Sequence, residues 1–357
     1  MTPKRTITGL ALALGAFAPL VAQTPLFTDG PAFGGSKIFS EGRNPLGNSA
    51  RYDQPPPGYY FTYLDGDNRA QDNKSSLQDA VSADAGMASA ALAKLKDAPW
   101  AQRTRAFGFA SIRNTVHFAL VREELNGLTA MPDLNPADLG SSAALLNNTT
   151  QVNARRAVVE RMSFGGGSST NGTGFGASLR LERWSMGART GALNPWPGAA
   201  NLSEAESLLG YTGTQNKTLT YAMDMGFVTE LAQGLRLGVT VDQLNPKVLW
   251  EVHLKPQFRA GLQIALGPST SVSVESDING VEKMPFPVKQ QTTSASLRFE
   301  ASPAVALVLG AQRRKIGDAS VTQGGVTLQL RTPTLLVAVG LQLGQDRPLR
   351  SATVMVN

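Results

Sequence analysis

The fold is decided by three segments in the last third of the chain. They read LRLGVTVD at residues 235–242, QFRAGLQIAL at 257–266 and VSVESDIN at 272–279. In each segment nearly every second residue is apolar, and the residues between them are small, polar or charged. This period of two is typical of β-strands, because successive side chains point to opposite faces. Turn residues such as Gly234 and Pro268 separate the segments, so the sequence predicts antiparallel strands joined by hairpins.

The same alternation extends through most of the chain. It continues at residues 296–300, 326–331 and 337–344, and it is found in less regular form at 59–65, 104–112, 115–124, 155–165, 175–186 and 218–231. The number of segments predicts about twelve to fourteen strands, and an antiparallel membrane barrel favours an even number.

Alternation alone does not identify the solvent on each face, because the strands of a soluble β-sandwich alternate too. Glycines recur on the polar faces, for example Gly238, Gly261 and Gly340, as expected where a crowded lumen brings backbones close. Short turns also alternate with longer connections such as 246–255 and 280–289. After the N-terminus, no run of apolar residues is long enough for a helical span. The sequence therefore predicts an all-β fold, a closed antiparallel transmembrane β-barrel.

The N-terminus has the features of an export signal. Lys4 and Arg5 precede an apolar run at residues 10–20, and Val21-Ala22-Gln23 offers a cleavage point. The alternative is a retained anchor, for which the apolar run is short. We predict a signal peptide at residues 1–22. The chain has no cysteine, so an exported product must be stable without disulfides, as a closed barrel is.

The domain organisation follows from these limits. Residues 23–57 are irregular and end in a Pro55-Pro56-Pro57 run; we expect them to fold into the lumen as a plug or to cross the periplasmic mouth. Residues 58–345 form the barrel. Residues 346–357 lack the terminal aromatic typical of a last barrel strand and are predicted to be a C-terminal tail. Segments 75–98, 136–146 and 203–209 are predicted to be short helices, either in loops or in the lumen.

Charged side chains on the polar faces form the candidate site. Glu275 and Asp277 share one strand face, a spacing that an acid pair in a glycosidase could use. Arg236, Arg259 and Arg298 stand on neighbouring inward faces, so the plainer interpretation is a ladder of salt bridges in the lumen. The candidate lumen charges are Arg236, Asp242, Arg259, Glu275, Asp277, Arg298, Glu300 and Arg331.

Other chemistry finds little support. The chain has two histidines and no cysteine, which excludes a His-rich or thiolate metal site. His117 is predicted to face the lumen, either as a structural hydrogen-bonding group or, with a lumen acid, as part of a hydrolase site. The glycine-rich stretch at 165–172 is predicted to be a loop tip and lacks a phosphate-binding ending. The net charge of +6 is scattered and interleaved with acids, which does not favour nucleic acid as a partner. We predict no enzyme activity, cofactor or metal.

Two motifs carry a family resemblance. LGVTVDQLNP at 237–246 and KPQFRAGL at 255–262 are followed by a strand with Asp277 and by a G-x-x-x-R segment from Gly310 to Arg314. NPLGNSAR at 44–51 matches an NPA segment after the signal peptide more loosely. The chain thereby resembles the TraF-type outer-membrane barrels, a family named for plasmid transfer and distantly similar to FadL-type channels for hydrophobic compounds. The resemblance covers about residues 219–344. It implies a barrel in the outer membrane and carries no catalytic residues.

Three functions remain open at this point. The first is passage of a small or hydrophobic solute through an outer-membrane channel. The second is a non-transport scaffold in an envelope or conjugation-type assembly, with other envelope proteins as partners. The third is a soluble or surface β-rich binding protein. Aromatic residues near proposed strand ends, among them Tyr59, Trp184 and Tyr221, suit a girdle at lipid headgroups, although isolated packing aromatics would look the same.

Overall fold

A computed structural model describes residues 37–39, 58–68, 90, 100–113, 115–131, 133–139, 148–192, 212–317, 319–343 and 349–356. Fourteen antiparallel strands close into a barrel, which confirms the predicted fold class. The strands are β1 (Gly58–Asn68), β2 (Trp100–Arg113), β3 (Val116–Met131), β4 (Gln151–Thr170), β5 (Thr173–Ala192), β6 (Asn216–Ala232), β7 (Leu235–Asp242), β8 (Lys247–Leu249), β9 (Val252–Leu254), β10 (Gln257–Ala265), β11 (Thr270–Asp277), β12 (Val281–Lys283), β13 (Phe286–Ser302), β14 (Val305–Ile316), β15 (Ala319–Arg331), β16 (Leu335–Leu343) and β17 (Arg350–Val356).

The short strands β8, β9 and β12 are not part of the closed ring of barrel strands. Strands β8 and β9 form a separate hairpin, while β12 pairs only with the start of β13. The ring is continuous because β11 also pairs with β13 and β1 pairs with both β2 and β17. Every one of the fourteen barrel strands therefore has two hydrogen-bonded neighbours, and the described barrel sheet has no open edge.

The last strand corrects a prediction. Residues 346–357 were expected to be a tail, but β17 within this segment pairs with β1 and β16 and closes the barrel. Ser351, Thr353 and Met355 are buried on its inner face, while Ala352 and Val356 are exposed on the outer face. The strand therefore obeys the period of two, and its inward Met355 stands opposite the buried Tyr60 of β1 and Leu336 of β16.

Much of the outward face of the barrel is apolar, as the alternation predicted. Large exposed hydrophobic side chains occur on all sides, among them Phe107, Phe175, Leu219, Val274 and Val339. The inward-facing residues between them are buried. Burial on one face and apolar exposure on the other is the arrangement of a barrel with lipid around it.

The two ends of the barrel differ. Compact turns join β2 to β3, β4 to β5, β6 to β7, β13 to β14 and β15 to β16; we call this the short-turn end. Most connections at the other end, the loop end, are longer, as at 132–150, 193–215 and 243–256. In the β4–β5 turn, Asn171 and Gly172 have φ of 53° and 79°, the left-handed conformation that a two-residue hairpin requires. The glycine-rich stretch predicted as a loop tip is strand up to Thr170.

The loop connections contain structure that the sequence did not predict. The hairpin β8–β9 occupies most of the predicted 246–255 connection, and β12 lies in the predicted 280–289 connection. A short helix, α1 (Pro136–Leu139), begins where one predicted helix begins. Residues 1–22, most of 75–98 and all of 203–209 lie outside the described residues. Among the described residues, no helix has the length and hydropathy to cross a membrane.

Candidate functional site: the barrel lumen

The structure places the candidate charges on the inward faces of their strands. Five of them are buried: Asp242 on β7, Arg259 on β10, Glu275 and Asp277 on β11, and Arg298 on β13. Glu300 shares the inward face of β13, and Arg236 and Arg331 lie half-buried near the short-turn end. Inward orientation keeps these charges away from lipid, because an unpaired charge in hydrocarbon is costly.

Three of these residues form one ion-paired group, which we call the Arg259 cluster. The Arg259 guanidinium donates from Nε to Asp277 Oδ1 at 2.8 Å and from Nη1 to Glu275 Oε2 at 3.1 Å. Asp277 also accepts a hydrogen bond from the Thr292 amide at 2.7 Å. Strand register explains the cluster, because Arg259 lies directly opposite Asp277 in the β10–β11 ladder. Charge and hydrogen bonds are thus satisfied together, as buried carboxylates require.

The other predicted partners lie elsewhere. Arg298 was expected near Glu275 and Asp277, but it stands opposite Ser271 in the ladder and pairs with Glu300 at 3.1 Å. Arg236 stands opposite Gln263 of β10 and Glu230 of β6. The ladder offset separates both arginines from the acids of the Arg259 cluster.

The N-terminal segment contacts this cluster. The backbone amides of Lys37 and Ile38 donate to the two oxygens of Glu275, at 3.0 and 2.8 Å, and the Lys37 ammonium pairs with Asp242. Ile38 and Phe39 pack with Val228 of β6 and cover Gly238 of β7, where an added Cβ would overlap Ile38 Cγ2. All three residues of the segment are buried. No sequence pattern indicated Lys37 as a site residue, although a glycine on an inward face does indicate a close approach.

A second ion-paired group lies further round the wall, on β3 to β6; we call it the Arg180 cluster. Arg180 pairs with Asp224 at 2.8 Å and with Glu182 at 3.5 Å. Arg161 joins Glu123 to Glu182, at 2.5 and 3.4 Å. None of these residues was among the candidate lumen charges. The signal for them would have been their positions on the inward faces of long strands whose alternation is irregular.

The hairpin β8–β9 caps this region of the lumen. Leu249, Val252 and Leu254 are buried against Trp184 and Met186 of β5. Two ion pairs fix the hairpin to the wall: Lys247 with Glu182 at 2.6 Å, and Glu251 with Arg155 of β4 at 2.7 Å. Burial lowers the pKa of Lys247, while the hydrogen bond from Arg155 lowers the pKa of Glu251. Apolar contact and charge pairing thus hold the cap together.

The remaining wall has two kinds of lining. One apolar group on β1, β2, β3 and β16, and on and next to β17, mixes alanines with larger side chains: Tyr60, Leu64, Ala106, Ala110, Ile112, Ala119, Val121, Leu336, Ala338, Leu349 and Met355. The wall from β13 to β16 carries neutral polar side chains, in which Gln323 Oε1 accepts from Gln342 at 2.7 Å and from Gln312 at 3.3 Å. The lumen therefore combines apolar, neutral polar and ion-paired sectors.

His117 faces the lumen, as predicted. It is buried on β3, and its Nε2 lies 3.2 Å from the Ser163 hydroxyl of β4. Among the residues that the structure describes, no group of three or more His, Asp or Glu side chains could hold a metal ion. The geometry around His117 is that of a hydrogen-bonded wall residue.

Comparisons with known proteins place the fold. No protein-family model matches the chain, and no curated protein matches it by sequence. Among solved structures, the chain is similar to the toluene transporter TodX of Pseudomonas putida, with a TM-score of 0.53, 9% identity, and coverage of 94% of this chain and 96% of that one. It is also similar to the toluene transporter TbuX of Ralstonia pickettii, with a TM-score of 0.50, 11% identity, and coverage of 96% and 98%. At these identities the likeness concerns the fold, and it supports the FadL-like part of the resemblance at that level.

Proposed function

We propose that this protein is an outer-membrane channel for a small hydrophobic solute, with its N-terminal segment acting as a plug in the lumen. The observation that carries the proposal is the position of Lys37, Ile38 and Phe39 inside a closed barrel. The described contacts of the segment are hydrogen bonds, an ion pair and apolar packing. None of them belongs to the strand ladder, so the segment can be released without breaking the barrel.

The location follows from the surface of the barrel. A closed ring of strands with apolar residues outward and charges inward is stable in a bilayer and would aggregate in water. Bacterial barrels of this kind belong to the outer membrane, with short turns towards the periplasm and long loops outside. The same surface argues against a soluble or surface binding protein. Outer-membrane lipid is then the first partner of the chain.

The proposed solute class rests on two observations. The lumen contains apolar sectors, including the group that Trp184 and Met186 form with the hairpin, and an apolar solute is desolvated best against such surfaces. The two similar structures are named as toluene transporters, and their shared fold makes a small hydrophobic solute the natural hypothesis. Whether the solute resembles toluene is part of that hypothesis.

A second candidate is a scaffold in an envelope or conjugation-type assembly, the role implied by the TraF-type resemblance. The extent of buried ion pairing favours it, because the Arg259 and Arg180 clusters and the capping hairpin fill parts of the lumen with structure. A scaffold needs no open path. We infer the channel as the stronger candidate because a scaffold has no need of a separate segment held in the lumen.

Transport measurements decide between the two. The purified chain in proteoliposomes should accelerate uptake of toluene over protein-free vesicles, with glucose, a polar solute of similar size, as the control. Planar-bilayer recordings on the same preparation should show discrete openings. Toluene uptake equal to that of protein-free vesicles, with no conductance from a barrel that still shows heat-modifiable mobility, would reject the channel and leave the scaffold.

A further inference from the structure

The outer wall of β2 to β6 carries a sharp boundary between apolar and charged residues. One row of directly paired residues, on the short-turn side of the boundary, is entirely apolar: Phe109, Leu120, Met162, Leu181 and Tyr221. The next row towards the loop end reads Phe107, Arg122, Glu160, Arg183 and Leu219. The row after that reads Arg105, Glu124, Val158, Ser185 and Lys217. Charges therefore begin within one row of the apolar band.

Three adjacent side chains, Arg122, Glu160 and Arg183, form the centre of this region. Arg183 Nη2 lies 2.6 Å from Glu160 Oε2, and Arg122 Nη1 lies 3.8 Å from Glu160 Oε1. The arginine side chains are 62% and 64% exposed. Two guanidinium groups thus share one carboxylate, and each offers five N–H donors, so an excess of positive charge and donors faces outward.

The surrounding residues increase that excess. Across the two charged rows, the cations are Arg105, Arg122, Arg183 and Lys217, and the anions are Glu124 and Glu160. Arg105 is paired with Asp65 of β1 at 3.2 Å, so the excess comes from Arg122, Arg183 and Lys217. Glu124 is occupied by Arg156 at 3.1 Å, which comes from a further row. Lys217 is exposed. The ligand that this surface fits is an anion with more than one acceptor oxygen, because planar guanidinium groups bind phosphate in bidentate fashion.

We propose that this surface binds a phosphorylated lipid headgroup of the outer leaflet, with Arg122 and Arg183 on the phosphate. The acyl chains of the same lipid would lie on Leu120, Leu181 and Tyr221, in the apolar row directly beneath. A lipid satisfies both rows, whereas free phosphate satisfies only one. The inference rests on the proposed location in the outer membrane, because it assigns the loop end to the outer leaflet. It does not depend on transport through the lumen.

The test uses the full-length barrel, purified in detergent and checked for heat-modifiable mobility. Bound lipid is counted by native mass spectrometry after titration with bis-phosphorylated lipid A, and in a parallel arm with the same lipid after removal of its phosphates. Inorganic phosphate serves as the competitor. Arg122→Gln/Arg183→Gln is compared with Arg313→Gln/Lys315→Gln, a matched pair of outward cations exposed at the loop end of β14.

We expect the phosphorylated lipid to bind the wild-type chain more tightly than the dephosphorylated lipid. A cation near a charged membrane surface contributes about a fivefold change in affinity, so the Arg122/Arg183 variant should lose on the order of twentyfold. Glu160→Gln should bind more tightly than wild type, because it removes the competing carboxylate. The β14 variant should bind as wild type does.

Three results would overturn the proposal. Equal losses in the β14 and Arg122/Arg183 variants would show diffuse attraction, and equal binding of both lipids would show acyl contacts alone. Full competition by inorganic phosphate at equal concentration would show a phosphate site without lipid. Because toluene uptake is measured separately, failure here leaves the proposed channel standing, and failure of the channel leaves this site standing.

Discussion

The backbone amide of Ile38 donates a hydrogen bond to Glu275 Oε1 at 2.8 Å, across 237 positions of the chain. The contact joins the N-terminal segment to β11 in the middle of the lumen wall. Glu275 already accepts from Arg259, so one carboxylate serves both the wall and the segment. The shared acceptor makes the position of the segment sensitive to a single side chain, since each hydrogen bond to a charged group is stronger than a neutral one.

The Glu275→Gln substitution should release the N-terminal segment. Glutamine keeps the size of the side chain but removes the charge that holds the Lys37 and Ile38 amides. Hydrogen bonds to charged groups contribute about 1.5–3 kcal/mol each, so the released fraction should rise by about tenfold or more. Single-channel recordings should then show a larger open probability, and proteoliposomes should take up toluene faster.

The matched control for that substitution is Glu300→Gln. Glu300 is also an inward-facing carboxylate paired with an arginine, Arg298, at 3.1 Å. The Glu300→Gln substitution removes one negative charge from the lumen, as Glu275→Gln does, but leaves the hydrogen bonds of the Lys37 and Ile38 amides in place. If both variants raise the open probability equally, the effect comes from lumen charge and the plug hypothesis is wrong.

Gly238→Ala should displace the same segment by steric overlap. A Cβ at this position would overlap Ile38 Cγ2 and approach Phe39 Cε1 to 3.2 Å. Overpacking of this kind costs about 1–3 kcal/mol, and moving the segment relieves it. Trypsin should then cleave after Lys37 in the detergent-solubilised variant faster than in wild type, with the fragments identified by mass spectrometry.

The control for trypsin cleavage is Gly324→Ala on β15. There the nearest side-chain atom to an added Cβ is Leu343 Cβ at 3.6 Å, an ordinary contact. Its cleavage rate should match that of wild type. A Gly238→Ala variant that resists trypsin as well as wild type would show that the wall yields and the segment stays in place.

The regular barrel strands could be predicted because apolar and polar residues alternate wherever one face of a strand contacts lipid and the other a polar lumen. Two exceptions show where the pattern loses its meaning. In β17 the absence of a terminal aromatic made a strand look like a tail. In the stretch at 165–170, glycines suggested a loop, yet the strand continues to Thr170. Glycine is required at position 165 because an added Cβ there would overlap His117. Neighbouring strands supply the hydrogen bonds that local propensity does not.

The site was less predictable than the fold. Alternation indicates the face on which a charge lies, so Arg259, Glu275 and Asp277 could be placed in one lumen. It does not indicate register, and register decides that Arg259 meets Asp277 while Arg298 meets Glu300. The contribution of Lys37 lay beyond any local pattern, because its contacts span more than 200 positions along the chain.

The folded state should become more stable as pH rises above neutrality, because of Lys283. Burial lowers the pKa of this β12 side chain from 10.5 to about 7, in a setting where Asp277 attracts it and Arg314 and Arg259 repel it. Between these two values the unfolded chain holds the proton that the folded chain has lost. Stability therefore rises with pH across that window, by up to about 1.4 kcal/mol per pH unit.

Lys283→Met should abolish this rise, because methionine keeps the apolar stem and cannot titrate. The measurement is the urea midpoint of the barrel at several pH values between about 7 and 10.5. Lys289→Met, at an exposed position on β13, is the control and should keep the wild-type profile. A wild-type midpoint that stays flat across the window, or falls, would contradict the assignment to Lys283.

Closure of the barrel should depend on the middle of β17. Thr353 pairs with Thr62 of β1 and Ala338 of β16, and its hydroxyl lies 3.1 Å from that of Thr62. Thr353→Pro removes an amide from the ladder and places a ring against a neighbouring strand, which central strands do not tolerate. Because β17 is the only link between β1 and β16 in the described sheet, the variant should lose heat-modifiable gel mobility. Thr353→Val, which keeps the amide and the β-branched shape and loses only the hydroxyl, should retain it. A proline variant that still migrates as a closed barrel would show that β1 and β16 can pair without β17.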